Sequence, residues 1–324
     1  MDLAASGPSR TSSLTVLDAG PLTTVQDRGR AGLAHLGVPR SGVLDDVSAA
    51  AANRLVGNPA DAAVLETTGG GCAVRFGRSA VTAVTGAVCD VDVDGRARPH
   101  GLAVAVRAGA VLRLGPALAG VRSYLAVGGG IDVPAVLGSR STDLLSGLGP
   151  PPLRAGAEVG LGASAGRHPA GTDVPVVARV PDAGGVAVRV HPGPRADWFT
   201  PLARSLLLEA TWSTTSRSNR TGIGLDGPVL ARVSAEELPS EGLVLGAVQV
   251  PPAGSPVVFL ADHPTTGGYP VIAVVVAADL ALLAQTPPGT RLRFTVAGAA
   301  GAAGAAGAAG AAAGAVRGPV GGAA

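Results

Sequence analysis

No lysine occurs among the 324 residues; all 25 basic Lys/Arg positions are arginine. That excludes chemistry needing a lysine amine on this chain, including a biotinyl-lysine, a Schiff base and a P-loop lysine. Aromatic residues are scarce too, at 2 Trp, 2 Tyr and 4 Phe. A surface that stacks nucleic-acid bases needs more of them, and the arginines stand singly instead of forming one basic stripe, so no nucleic-acid partner is expected. Cysteine is limited to Cys72 and Cys89, too few for a disulfide framework and not at a metal-ligand spacing. They read as buried thiols of a cytosolic protein. His35, His100, His168, His191 and His263 are isolated, without zinc spacing, and no metal site is expected. The start, MDLAASGPSRTSSL, lacks the basic and apolar regions of a signal peptide. The longest apolar stretch, 269–284, is interrupted by Asp279 and falls short of the roughly 20 residues that span a bilayer. The expectation is a cytoplasmic protein with no membrane partner. A formal net charge of +2 and a pI near 8.9 select no partner.

Glycine and proline are plentiful, at 49 and 26 residues. Their share stays just under the roughly 25–30% at which composition alone signals disorder, and many turns between short strands are the better reading. Runs of Val, Leu and Ala bounded by Gly or Pro, at 14–17, 63–66, 73–76, 88–93, 102–106 and 111–114, read as strands. Helices are expected at 45–56, with an Asp cap and Gly57 as stop, at 195–208 and at 277–285. Strands outnumber helices and do not alternate regularly with them, which predicts a mainly β fold with a few helices, in barrel-like β lobes. The expected organisation is a disordered N-terminus at 1–12, an N-terminal β lobe at 13–148, a Pro/Gly-rich connection at 149–185, a C-terminal β lobe at 186–296 and a disordered Ala/Gly tail at 297–324.

Five clusters combine glycine with polar side chains and could present backbone N–H groups or charges to an anion. TTVQDRGRAG from Thr23 precedes GVPRSG from Gly37; its two arginines around a glycine suit a phosphate or carboxylate, or else pair with Asp27 and Asp45. Asp45 and Asn53 are two helical turns apart and can share a face, although capping and core packing account for most of that segment. AVGGGIDVP from Ala126, followed by Arg140 in LGSRSTD, lacks dinucleotide-loop spacing. SNRTG from Ser218 and SEG from Ser240 place Arg220 and Glu241 in turns, the latter as a loop carboxylate able to orient a water or an amide nitrogen. DHPTTGGYP from Asp262 lies between two apolar strands, where rigid neighbours can hold a loop for chemistry. No serine here has a GxSxG context, so a nucleophilic triad is not expected.

In this order, the clusters resemble the family of the C component of bacterial ATP-dependent 5-oxoprolinase, also known as allophanate hydrolase subunit 2, kinase-inhibitor antagonist or biotin-dependent carboxyltransferase family. The segments that carry the resemblance are LDAGPLTTVQDRGRAGLAHLGVPRSGVLDD from Leu17, ANRLVGNPADAAVLETT from Ala52 and YLAVGGGIDVPAVLGSRST from Tyr124. They continue with HPGPRADWF from His191, SNRTG, SEGLVLGAVQVPPAGSPVVFLADHPTTGGYP from Ser240 and LALLAQTPPGTRLRF from Leu280. The sequence departs from the family pattern where Pro150, Pro151 and Pro152 precede Leu153, where Ala157 follows Gly156, and where Thr221 and Gly224 replace a methionine and an arginine.

The resemblance implies a cyclophilin-like β-barrel architecture and ATP-driven opening of 5-oxoproline to L-glutamate together with the A and B components of 5-oxoprolinase as partners. ATP, with Mg, is then the expected cofactor, held by this chain or its partner, with no covalent biotin on this chain. Two other activities in the family are biotin-dependent carboxyl transfer to urea or another amide, and non-enzymatic antagonism of a histidine-kinase inhibitor. A lactam or amide substrate needs hydrogen bonds to its amide, and a transferred phosphoryl or carboxyl group needs fixed positive charge. On that basis Glu241, Asp262 and Tyr269 are the catalytic candidates. Gln26, Arg28, Arg30, Asn53, Arg140, Arg220, Gln249, Thr265, Thr266, Gly267 and Gly268 are the substrate-binding candidates.

Overall fold

A computed structural model describes residues 12–164 and 179–298. The segments expected to be disordered, 1–12 and 297–324, fall almost wholly outside the described residues, as does the middle of 149–185.

The short β-branched runs form strands whose alternate residues face a core. The first twelve are β1 (Ser13–Ala19), β2 (Leu22–Gln26), β3 (Val64–Thr68), β4 (Cys72–Phe76), β5 (Ala80–Val88), β6 (Val91–Val93), β7 (Arg96–Arg98), β8 (Ala103–Val106), β9 (Val111–Leu114), β10 (Ala119–Val127), β11 (Ile131–Asp132) and β12 (Glu158–Leu161). They assemble into a seven-stranded sheet, β11-β12-β1-β4-β9-β6-β7, and a five-stranded sheet, β2-β3-β10-β5-β8. Leu14, Val16, Val25, Leu65, Phe76, Leu112 and Leu125 belong to one buried cluster of this lobe. The period of two puts Thr24, Glu66 and Tyr124, which are register partners, on the opposite face of the five-stranded sheet from Val25, Leu65 and Leu125. That face is covered by α1 (Asp46–Leu55), whose Ala49 and Ala52 allow close approach to Val64, Ala83 and Ala126. Asp45 caps the helix as expected, its Oδ1 accepting from the Ser48 N–H at 2.9 Å.

β12 corrects the expected organisation. It pairs with β1, Leu14 opposite Val159, so the N-terminal sheet extends past 148 into the stretch read as a connection. Val159 and Leu161 are its only large apolar residues, too few to stand out among glycine and alanine.

The second lobe contains β13 (Val186–Pro192), β14 (Trp212–Thr214), β15 (Gly222–Asp226), β16 (Glu241–Gly242), β17 (Ala247–Gln249), β18 (Val257–Phe259), β19 (Thr266–Gly267), β20 (Val271–Val275) and β21 (Arg291–Val296). Seven of these close into a barrel, β13-β20-β17-β18-β15-β14-β21, sealed by parallel pairing of β13 with β21. β16 and β19 form a separate two-stranded ribbon. Val188, Phe199, Leu207, Trp212, Ile223, Val248, Ile272, Leu292 and Phe294 lie in the barrel core. The helix expected at 195–208 begins later, as α2 (Pro201–Glu209). Proline disfavours helical geometry in the residue before it and suits the first helical position, so Thr200 becomes the cap and 196–198 form only a 3-10 turn. The expected helix at 277–285 is a 3-10 turn leading into α3 (Leu280–Ala284). No helix of the described residues is long and apolar enough to cross a membrane.

Candidate functional site

After β2 the chain turns through Asp27-Arg28-Gly29-Arg30, and Asp27 ties this turn to residues 139–141. Its Oδ1 accepts from Gly29 N–H (2.8 Å), Ser139 Oγ (2.5 Å) and Ser141 Oγ (2.6 Å), and its Oδ2 from Arg140 N–H (2.6 Å). Burial pushes its carboxyl up, but these hydrogen bonds outweigh it and hold Asp27 below its ordinary value. Arg30 is buried and braces the same loop, Nε donating to Val136 O (3.0 Å) and Nη2 to Ser141 O (2.7 Å). Gln26 is buried as well, its Nε2 donating to Thr24 Oγ1 and Thr142 O. Arg140 directs its guanidinium to a surface ion pair with Asp132 (2.9 Å). Of the N-terminal candidates, Gln26, Arg30 and Arg140 therefore hold loops together.

Arg28 and Asn53 do meet, in a hollow of about 420 Å³ also lined by Asp27, Arg40, Asp46 and Arg54. Two glycines make it possible. Gly29 has φ +79°, and a Cβ there would lie 2.3 Å from Arg40 O; Gly42 has φ +98°, and its Cβ would lie 2.9 Å from Arg28 C. The two backbones touch, so Arg28 and Arg40 leave from adjacent points. Asn53 forms the wall, donating to Ala62 O (2.8 Å) and accepting from Asn58 Nδ2 (3.0 Å), and so is itself a structural residue. Arg40 and Arg54 stand in the clusters read from the sequence but have no distinguishing pattern of their own there.

Arg220 and Asp262 lie elsewhere, in a buried polar junction between the lobes. Arg220 Nε and Nη2 grip Asp262 Oδ2 and Oδ1, both at 2.9 Å, while Nη1 pairs with Glu66 and Nη2 also reaches Gly42 O. All three charged side chains are at most 1% exposed. Burial by itself lowers the Arg220 guanidinium, and the two carboxylates outweigh it and raise it above its ordinary value. Asp262 further accepts from Leu144 N–H (3.1 Å) and Ser41 Oγ (2.8 Å). Both oxygens of Asp262, a catalytic candidate from the sequence, are thus engaged in the ion pair and its hydrogen bonds. A second junction centres on Gln285, whose Oε1 accepts from the N–H groups of Val121 and Arg122 and whose Nε2 donates to Asp45 Oδ2 and Arg122 O. Burial raises Asp45 here and lowers Arg122. Glu66, Arg122 and Gln285 carry no local sequence signal, because their partners come from distant segments.

The remaining candidates gather on the barrel lobe. Glu241 in β16 faces Gly267 in β19, and its carboxylate pairs with Arg195 at the surface; that hydrogen-bonded partner holds it below its ordinary value. Glu241 is therefore also engaged instead of free. Gln249 Nε2 donates to Tyr269 O (2.9 Å) and lies under Gly267, where a Cβ would come within 2.8 Å of it. Thr266 and Gly267 form the ribbon strand, and Thr265 O accepts from Leu243 N–H. Gly268 and the 44% exposed Tyr269 border a separate cleft of about 810 Å³, with the Arg232 guanidinium 5.8 Å from the ring centre. Of the candidates, Arg28 and Asn53 line one hollow, Gly268 and Tyr269 border a second, Arg220 and Asp262 sit in the buried junction, and the rest brace loops, pair at the surface or build the β16–β19 ribbon.

His263 is buried beside Asp262, its Nδ1–H donating to Pro264 O (2.7 Å), and His100 donates to Ala87 O (3.1 Å). Burial lowers both below the ordinary histidine value. The unfolded chain therefore binds protons near about pH 6.5 that the folded chain refuses. Stability is complete above that value and falls as pH drops through it toward the folded values. Thermal unfolding scanned from about pH 7.5 to 5 should show this loss, reduced in the variants His100→Gln and His263→Asn.

Among the described residues, no group of three or more His, Cys, Asp or Glu is arranged to hold a metal ion. In comparisons with known proteins, the family described as carboxyltransferase domain, subdomain A and B, matches residues 36–296. The C component of the 5-oxoprolinase of Escherichia coli is 41% identical across 87% of this chain and 90% of that protein. A solved structure of the protein TTHA0988 matches at 39% identity and a TM-score of 0.79, covering 89% of this chain and 56% of that one. The urea carboxylase of Kluyveromyces lactis matches at 28% identity and a TM-score of 0.82, covering 90% of this chain and 28% of that one. This chain therefore spans nearly the whole bacterial protein and only a part of the two longer ones.

Proposed function

The chain belongs to the carboxyltransferase-domain family, and from that premise we propose that it is the C component of an ATP-dependent 5-oxoprolinase, opening the lactam of 5-oxoproline to L-glutamate with the A and B components in the cytoplasm. The observation that carries this reading is the near full-length match to the C component of a bacterial 5-oxoprolinase. The arginine-lined hollow supports it physically, since a lactam-opening reaction driven by ATP develops oxyanions that fixed guanidinium groups stabilise. Among the described residues no three His, Cys, Asp or Glu converge to hold a metal ion, and Asp27, Glu66, Glu241 and Asp262 are engaged by arginine, hydroxyl or backbone donors. In this proposal ATP with Mg is therefore held by the partner components.

The test is reconstitution with the A and B components, following glutamate release and ATP hydrolysis with and without 5-oxoproline. Release that disappears when this chain is omitted is the expected result. No release from a folded, associated complex refutes the reading.

A second reading, biotin-dependent carboxyl transfer to urea or another amide, is favoured by the match to urea carboxylase across most of this chain. With no lysine here, carboxybiotin must then come from another chain or domain. Carboxylation of urea by the assembled system, in place of glutamate release, selects it.

A further inference from the structure

We propose that the hollow beside α1 is an oxyanion subsite in which Arg28, Arg40 and Arg54 hold a carboxylate or phosphoryl group of a small ligand. The three arginines come from two loop segments and a helix and line one hollow of about 420 Å³. That volume lies within the roughly 300–1,000 Å³ of small-molecule sites. Among the described residues, none of the three guanidinium groups forms a hydrogen bond or ion pair with a protein side chain or carbonyl, whereas those of Arg30, Arg140 and Arg220 are all engaged. Their forked donors remain available for an oxyanion. Asp27 and Asp46 also line the hollow. Asp27 already accepts four hydrogen bonds from its own loops, and three positive charges stand against two negative ones.

The site is fixed from the other lobe. Ser41, next to Arg40, has φ +53°, a left-handed backbone that serine keeps only when its surroundings hold it. Ser41 N–H donates to Ala261 O (3.0 Å), and Ser41 Oγ lies 2.8 Å from Asp262 Oδ1. The barrel lobe thus sets the point from which Arg40 enters the hollow. This gives the Arg220–Asp262 junction a consequence for binding without placing Asp262 in contact with ligand.

The subsite is tested at equilibrium, apart from any lactam-opening activity, by calorimetric titration of the full chain at low ionic strength with inorganic phosphate and, separately, with 5-oxoproline. At least one anion should bind one to one, and Arg40→Ala and Arg54→Ala should each weaken that binding about tenfold or more, while Arg107→Ala, outside the hollow, leaves it unchanged. Binding of phosphate alone assigns the subsite to a phosphoryl group, and binding of 5-oxoproline alone to a carboxylate. No binding of either anion, or parental affinity in both Arg40→Ala and Arg54→Ala, overturns the proposal. Because no turnover is read, a failed reconstitution of 5-oxoprolinase leaves this result standing, and failure here leaves that assay untouched.

Discussion

Arg220→Ala is expected to destabilise the chain by about 3–5 kcal/mol in urea-induced unfolding, the range for removing one partner of a buried pair. The side chain bridges carboxylates from the two lobes, Glu66 in β3 and Asp262 after β18, with no more than 1% exposure on any of the three. Its removal leaves two buried anions near one another without the cation that directly pairs them. The cost should therefore come chiefly from those anions, not from lost packing. Removing all three charges with Arg220→Met, Glu66→Gln and Asp262→Asn distinguishes the two causes: this triple variant should be more stable than Arg220→Ala alone. A triple variant as unstable as the single one would mean that shape at the junction, rather than charge, is decisive.

Gln285→Leu carries the second largest expected effect, a loss of at least about 3 kcal/mol, because an unmet buried donor or acceptor costs roughly 1–3 kcal/mol. The wild-type amide satisfies two N–H groups and a carbonyl of β10, together with the carboxylate that caps α1. Leucine fills similar space but answers none of them. Gln285→Glu is a sharper variant, since it sets a carboxylate against Asp45 and against the Arg122 carbonyl. Its pKa should rise on folding, so its stability deficit should grow as pH rises through the carboxylate range and shrink again on acidification. A pH-independent deficit in Gln285→Glu would contradict this account of the contact.

These junctions mark where local reading of the sequence ends. The strands were legible because Val and Leu runs stand between glycines, and α1 because Asp45 opens it and Gly57 follows it. Glu66 alternates with Leu65 and looks like the solvent-facing residue of a half-buried strand; α1 covers that face, and Leu44 N–H and the barrel lobe's Arg220 engage the carboxylate. Glu241 and Asp262 look like free loop carboxylates for the same reason, their arginines lying 46 and 42 residues away. Arg28 and Asn53 could be nominated from the sequence, but their meeting in one hollow depends on the contact between the backbones around Gly29 and Gly42. Strand patterns are local, whereas ion-pair partners and hollows are made by tertiary contacts that no single window contains.

The parallel seam between β13 and β21 also sets an order of events during synthesis. The first strand of the barrel must wait for the last before the cylinder can shut, because Val186 pairs with Leu292 and Val190 with Val296. The strands of the preceding sheets are complete by Leu161, well before that seam can form. On a ribosome the first lobe can therefore collapse before Glu66 and Asp45 meet the arginine and the amide of the barrel lobe that later pair with them. Pairing across more than 100 residues makes this step slow relative to the hairpins within each lobe. A pause near the end of translation should consequently expose a half-built molecule whose open barrel leaves β13 without its closing partner and part of its apolar core uncovered.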